Sequence, residues 1–487
     1  MHRSLLALDH RFDAAFGAAA NPLKQLGALA FWLLALLAAS GIVLYALLDT
    51  SVQGAYASVE RLHAAPWRWG DLLRGLHRYA ADAFALVLLL HLLREAALAH
   101  FAAFRRYAWT TGVVLLPIAW ACGVGGFWIG WDRLGQYSAT AAAEWFDALP
   151  LLASPLARNF LGTAVSDRLF SLFVFVHLGL PQLLVFLGWA HIQRLGHPAV
   201  IPARKLAVGT TGALLALALL LPVRGQGPAD LASVPARLQL DWFWLWIQPL
   251  ADRSAPLAWA LLLLGLALLL VLPLLPRAAR VPVARVAPEH CGGCGRCVDD
   301  CPYGAISLVP HPLRRAGVQL AQVNAAQCAS CGICAGACPS STPFRKTGRL
   351  ATGIDLPQRP VDGLREQLRR GLAAGRDRVV IGCDEGARAA TFGGRNVLAL
   401  SLPCAGLLPP AFVEFAYREG ARSVLVTACR DGACAYRLGA RFTAQRLLGA
   451  REPHLRPLPA GFWQYVPADA GEEGRVIAAL HHQEARP

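Results

Sequence analysis

Inside two long apolar stretches, His77 and His91, then His177 and His191, repeat a single interval of fourteen residues. At about 1.5 Å per residue, that step moves an imidazole roughly 21 Å along a helix and returns it near the same face. Two such helices side by side present two bis-histidine sites at different depths, the arrangement that grips two stacked haems. Four unrelated interior histidines are the alternative, and that reading leaves the doubled interval unexplained.

The surroundings demand a membrane. Of 487 residues 55% are hydrophobic and 16% charged, a balance that soluble chains rarely show. Stretches near 25–48, 73–97, 107–131, 168–193, 206–223 and 254–276 are expected to span a hydrocarbon core of about 30 Å. The second carries His77, Arg78, Asp82 and His91, polar groups that face a bundle interior when they lie at membrane depth. Residues 1–24 form a polar lead before a full-length span rather than a secretory signal, so the first helix is expected to remain as an anchor. Lys and Arg are denser in 1–24, 94–107, 194–205 and 277–285 than in the longer alternate loops, which places both termini in the cytoplasm of a multi-pass inner-membrane protein. The net charge of +15 is scattered over loops and tail without a nucleic-acid motif, and anionic lipid accounts for it better.

With that orientation His77 pairs with His177 near the outer face, and His91 with His191 near the cytoplasm. Gly27 and Gly41, and Gly112 and Gly126, repeat the fourteen-residue interval at matching depths on neighbouring spans. Glycine removes a side chain where a macrocycle must come close, although small residues also serve plain helix packing. Arg74 and Arg94 flank His77 and His91 by three residues, placed either to reach a haem propionate or merely to snorkel. These residues, with the stretch from Gly126-Phe127 to Trp131-Asp132, resemble cytochrome b of the respiratory and photosynthetic bc complexes over about 20–276. The resemblance implies two haem b groups and a quinone substrate. Leu240-Asp241-Trp242-Phe243 resembles that family's Pro-Glu-Trp-Tyr quinol motif with proline lost, Glu replaced by Asp and Tyr by Phe. Asp241 is the candidate quinol proton acceptor, with a solvated loop acid as the alternative.

After Arg277 the apolar runs stop and cysteines begin: twelve of thirteen lie beyond this point, leaving Cys122 as a small buried residue of the third span. Cys291, Cys294, Cys297 and Cys301-Pro302 make a C-x2-C-x2-C-x3-C-P run, and Cys328, Cys331, Cys334 and Cys338-Pro339 repeat it. In such runs three thiolates hold one cubane and the fourth crosses to the other. One [4Fe-4S] set is therefore Cys291, Cys294, Cys297 and Cys338, and the second is Cys328, Cys331, Cys334 and Cys301. Zinc is the competing reading, but its sites rarely carry two runs each ending in Cys-Pro. Residues 285–345 resemble bacterial two-cluster ferredoxins.

Further on, three β-like runs, Arg378 to Cys383, Val397 to Cys404 and Ser423 to Cys429, each end in cysteine, with helical stretches near 409–419 and 435–448. A small parallel sheet would gather Cys383, Cys404 and Cys429 at the carboxyl ends of its strands, with Cys434 close by. Spacing alone leaves a [2Fe-2S] cluster, zinc and a redox disulfide open. Leu402 through Gly406 and Gly420 through Tyr436 resemble the delta subunit of methyl-viologen-reducing hydrogenase over about 376–450, which implies the [2Fe-2S] cluster and a link to hydrogenase or heterodisulfide reductase. Cys434-Ala435-Tyr436 stands where that family has Cys-His-Tyr, and its first cysteine region is fuller than Cys383 alone. Residues 451–487 carry no signal of their own.

The expected architecture is multidomain. An all-α membrane bundle with a cytochrome b-like dihaem core (1–280) precedes a cytoplasmic two-[4Fe-4S] ferredoxin domain (281–345), a linker with one helix (346–375) and a small α/β iron–sulfur domain with a tail (376–487). No nucleotide loop or hydride-transfer fingerprint is present, so substrate chemistry belongs to a partner. The chain reads as an electron-transfer subunit between the quinone pool and a cytosolic dehydrogenase, hydrogenase or heterodisulfide-reductase-like enzyme. Reverse, potential-driven transfer from quinol and a membrane anchor or redox sensor are the alternatives. A homodimer is allowed.

Overall fold

A computed structural model describes residues 2–149, 154–161, 165–233, 237–275, 282–314, 317–344 and 350–484. The chain divides into two units, one formed by Met1–Ile192 with Ala199–Leu275, the other by Gln193–Pro198 with Pro276–Pro487.

The first unit is helical because backbone N–H and C=O groups at membrane depth must bond within their own segment. Helices Leu26–Leu47, Ala103–Gly130, Asp167–Ile192 and Ala255–Leu274 are long and apolar enough to cross a bilayer, the second opening and the fourth closing in a 3-10 turn. Of the other two expected spans, Trp69–Ala97 is long but carries charges, and Arg204–Leu220 has 17 residues, about 26 Å of rise. Leu26–Leu47 packs along Trp69–Ala97, which also meets Arg204–Leu220, while Arg106–Gly130 packs along Asp167–Ile192. The close approach of Gly75 to Ala218 requires glycine, since a Cβ there would lie 2.6 Å from the alanine Cβ. Indole N–H groups bridge helices: Trp32 donates to Thr211 Oγ1 at 3.1 Å and Trp109 to the Leu269 carbonyl at 2.7 Å. On Asp167–Ile192, Phe170 is wholly buried while Phe175 is 72% exposed, as a helix with lipid on one side requires.

In the second unit the two cysteine runs are joined by an antiparallel hairpin, Ile306–Pro310 against Gln319–Val323, in the register Ile306 to Val323. Arg285–Val286 pairs with Ile354–Asp355. Each cysteine run forms one short helix, Arg296–Asp299 and Ile333–Ala337, entered through Gly295 (φ 78°) and Gly332 (φ 81°). These left-handed positions suit glycine, which has no Cβ to clash.

A four-stranded parallel sheet follows, in the order Val397–Leu402, Arg378–Cys383, Ser423–Ala428, Trp463–Pro467. Every residue of Ser423–Ala428 is buried, the pattern of a central parallel strand covered on both faces. The helix expected within 346–375 is Val361–Ala373, whose Leu364 and Leu368 are buried in one cluster with Val379 and Leu398. Residues 451–487, silent in sequence, supply the fourth strand and helix Glu473–Glu484.

Candidate functional site

In the helical unit each expected glycine faces an expected histidine on the adjacent helix. A Cβ on Gly41 would lie 3.1 Å from the His77 ring, on Gly112 3.1 Å from His191, on Gly126 3.1 Å from His177, and on Gly27 3.8 Å from His91. The glycines therefore make room for the imidazoles themselves. The His77 and His177 ring centroids are 6.4 Å apart. That separation leaves space for one metal ion bonded to a nitrogen of each ring at about 2 Å. His191 lies within electrostatic reach of His91 at the other level.

Three of the four rings are held by Nδ1. The Ser40 hydroxyl donates to the Leu36 carbonyl at 2.7 Å, so its lone pair accepts the Nδ1–H of His77 at 2.9 Å. Thr111 repeats this, donating to the Tyr107 carbonyl at 2.8 Å and accepting from His191 Nδ1 at 2.9 Å. His177 Nδ1 donates to the Cys122 carbonyl at 2.9 Å. With the proton fixed on Nδ1, the Nε2 lone pair is the one offered to a metal. Sequence reasoning missed Ser40 and Thr111, although each immediately precedes one of the paired glycines.

The flanking arginines have protein partners. Arg94 forms a bidentate pair with Asp9 at 2.9 and 2.8 Å, and Arg74 contacts Glu60 at 3.5 Å and His63 Nε2 at 2.7 Å. Asp241 accepts from the backbone N–H groups of Phe243 and Trp244 at 3.1 and 2.9 Å and pairs with Arg78. Arg78 also pairs with Asp82, which accepts the Trp244 indole N–H at 2.7 Å. Gly123 makes room for that indole, as a Cβ there would fall 2.0 Å from the Trp244 ring. The loop acid is thus tied to the charged helix one residue after His77.

In the second unit the thiols acting on Cys297 include those of Cys338, Cys294 and Cys291, while those acting on Cys334 include Cys331, Cys301, Cys328 and Cys297 itself. Burial pushes the Cys297 and Cys331 thiols up to about 12, so they lose their protons readily only to a bound metal. Backbone N–H groups already point at sulfur, from Ala305 to Cys301 at 3.3 Å and from Ser330 to Cys328 at 3.5 Å.

At the carboxyl ends of the parallel strands, Cys383, Cys404, Cys429 and Cys434 line one recess with Glu385, Pro403 and Tyr436. The Cys383 and Cys429 sulfurs are 3.5 Å apart. Two thiolates on one tetrahedral metal, at bonds of about 2.3 Å, would be separated by about 3.8 Å. A hydrogen bond from its partner holds one thiol of each pair down and the donor up: Cys383 low against Cys429, Cys434 low against Cys404. Glycines flank both pairs, for a Cβ on Gly386 would be 3.2 Å from the Cys383 sulfur and one on Gly439 2.1 Å from that of Cys404. Four thiols in one recess are the donor set that a two-metal cluster would take. No three His, Cys, Asp or Glu groups among the described residues are gathered as a single metal ion would need.

Residues 15–197 match the model of the family described as cytochrome b/b6/petB, residues 290–342 that of the 4Fe-4S dicluster domain, and residues 382–453 that of the methyl-viologen-reducing hydrogenase delta subunit. Three known domain families are joined in this chain. A solved structure entitled "Hyperthermophilic respiratory Complex III" is 19% identical, with 53% of this chain and 76% of that chain covered and a TM-score of 0.41. The cytochrome b family implies haem b, and the dicluster domain implies two [4Fe-4S] clusters. The chain is a membrane protein whose cytochrome b part exchanges electrons with iron–sulfur domains, as redox components of an oxidoreductase.

Proposed function

We propose that the chain is the membrane subunit through which a cytosolic dehydrogenase, hydrogenase or heterodisulfide-reductase-like enzyme delivers electrons to quinone. His77 with His177, and His91 with His191, hold two haem b groups through Nε2. Cys291, Cys294, Cys297 and Cys338 hold one [4Fe-4S] cluster, and Cys328, Cys331, Cys334 and Cys301 the other. Cys383, Cys404, Cys429 and Cys434 hold a [2Fe-2S] cluster. When bound, these groups supply one-electron chemistry; the protein's part is to fix their spacing and exclude solvent. The observation that carries the reading is the facing of all four glycines to all four histidines, with Nδ1 of His77, His177 and His191 anchored.

All six long helices span the bilayer in this reading, the charged Trp69–Ala97 shielded by its neighbours. Asp241 accepts the quinol proton, with Arg78 and the Phe243 and Trp244 N–H groups fixing its direction. Replacing it by asparagine keeps the acceptor oxygen but not the proton affinity. Asp241→Asn should slow quinone-dependent haem oxidation at least about tenfold with unchanged haem spectra; an unaltered rate would remove Asp241 from the reaction.

The deciding experiment is a redox titration of the purified protein, following haem absorbance and low-temperature EPR together. Two b-type haems and three iron–sulfur signals are expected, with potentials rising from clusters to haems. The opposite slope would mean reverse transfer driven by the membrane potential, worth about 2.3 kcal/mol per charge at 100 mV. Absence of haem after reconstitution, or zinc in place of iron, would overturn the reading.

A further inference from the structure

The delta-subunit cysteines and the second dicluster run share one apolar surround within the same unit. Cys331 and Ile333 are buried together with Cys404, Leu438 and Phe442, and Cys434 and Tyr436 pack against them. The approach is backbone-close. A Cβ on Gly332 would lie 2.0 Å from Leu407 Cδ1, on Gly336 2.1 Å from the Gly406 carbonyl oxygen, and on Gly406 2.6 Å from Ile333 Cγ1. Arg446, wholly buried, closes the joint: it donates to the Gly406 carbonyl at 3.0 Å and the Ile333 carbonyl at 3.4 Å, and pairs with Asp300 beside Cys301. The first run is placed differently. No cysteine of the first run belongs to this surround, and Cys294 is exposed.

We infer that the Cys383, Cys404, Cys429 and Cys434 group exchanges electrons directly with the Cys301, Cys328, Cys331 and Cys334 group, across a joint positioned by Arg446 and the Gly406–Ile333 contact. The Cys291, Cys294, Cys297 and Cys338 group lies to the side of that step. This rests on the metal centres proposed above. One electron crosses, one group being oxidised as the other is reduced; no bond forms or breaks and no proton is required. Transfer probability falls steeply with separation, so three glycines that strip side chains from the joint shorten the step that matters. The buried guanidinium holds both backbones through their carbonyls, and it shares Asp300 with Arg451.

The test is magnetic coupling in the full-length, dithionite-reduced protein, read as relaxation broadening of the delta-domain EPR signal by its nearest reduced neighbour. Broadening should persist in Cys294→Ala, which removes the first cluster, and be lost in Cys331→Ala, which removes the second. Loss in Cys294→Ala, or persistence in Cys331→Ala, would overturn the inference. Gly406→Val keeps every cysteine and forces Ile333 away from residue 406, so it should weaken the broadening at full iron content. Undiminished broadening there would overturn the role of the joint. Arg446→Gln should behave as Gly406→Val, with partial return in Arg446→Lys. A wild-type protein with no third EPR signal would instead refute the delta-domain cluster itself.

Discussion

At Ser40 and Thr111 the hydroxyl proton is already committed to the carbonyl one turn back, so each oxygen faces its histidine as an acceptor. Ser40→Ala and Thr111→Ala remove that acceptor and free the ring to turn and to change tautomer. Each should retain haem but shift the midpoint potential of its own haem by some tens of millivolts, about 59 mV corresponding to a tenfold change in relative affinity for the two oxidation states. A spectroelectrochemical titration checks it; a shift at the other haem instead would contradict the pairing of levels. The histidines and glycines were legible because the fourteen-residue interval occurs in both sets. Ser40 and Thr111 were not, because back-bonding to a helix carbonyl is what such residues do anywhere.

Asp355 is a second case decided by one side chain. Burial pushes its carboxyl from 3.8 up to about 6, against the lowering effect of the Val361 and Leu356 N–H groups. The folded protein therefore holds a proton that the unfolded chain has lost between those values. Its favourable contribution is complete below about pH 4 and disappears as pH rises through about 6, a change of about 2–3 kcal/mol. Asp355→Asn keeps an acceptor for both N–H groups and removes the titration. The wild-type iron–sulfur unit should lose more of its thermal midpoint than the variant between pH 5 and pH 7; equal losses would exclude Asp355 as the source.

At the scale of elements, three strands of the parallel sheet announced themselves because each has a cysteine at or within two residues of its carboxyl end. The fourth, Trp463–Pro467, is a five-residue edge strand, half-buried and closed by proline, and nothing local separates it from a loop. The helix Val361–Ala373 was likewise visible only as an arginine-rich stretch, since its buried side is the narrow row of Val361, Leu364 and Leu368. That row covers the sheet, and Leu368 is wholly buried. Leu368→Ala should cost about 2–5 kcal/mol and lower the denaturant midpoint of the iron–sulfur unit. Haem absorbance should be unaffected, because this side chain belongs to the other compact unit. Loss of haem in that variant would show that the two units do not hold their structure separately.

For the whole molecule, the sidedness expected from the sequence rests on charge rather than on any one contact. Lys and Arg concentrate in 1–24, 94–107, 194–205 and 277–285, alternate connections that one face of a six-span bundle would share. The segment Gln193–Pro198, within one of these connections, is itself part of the iron–sulfur unit: the Gly196 N–H donates to the Pro302 carbonyl at 2.9 Å, and Arg437 donates to the Gly196 carbonyl at 3.0 Å. We propose that the iron–sulfur domains are cytoplasmic, as the basic density of those connections leads us to expect. In sealed vesicles, dithionite, which crosses bilayers poorly, should bleach cluster absorbance at once in inverted preparations and only after detergent in right-side-out ones. Immediate bleaching in right-side-out vesicles would reverse the orientation, and with it the assignment of His77 and His177 to the outer haem.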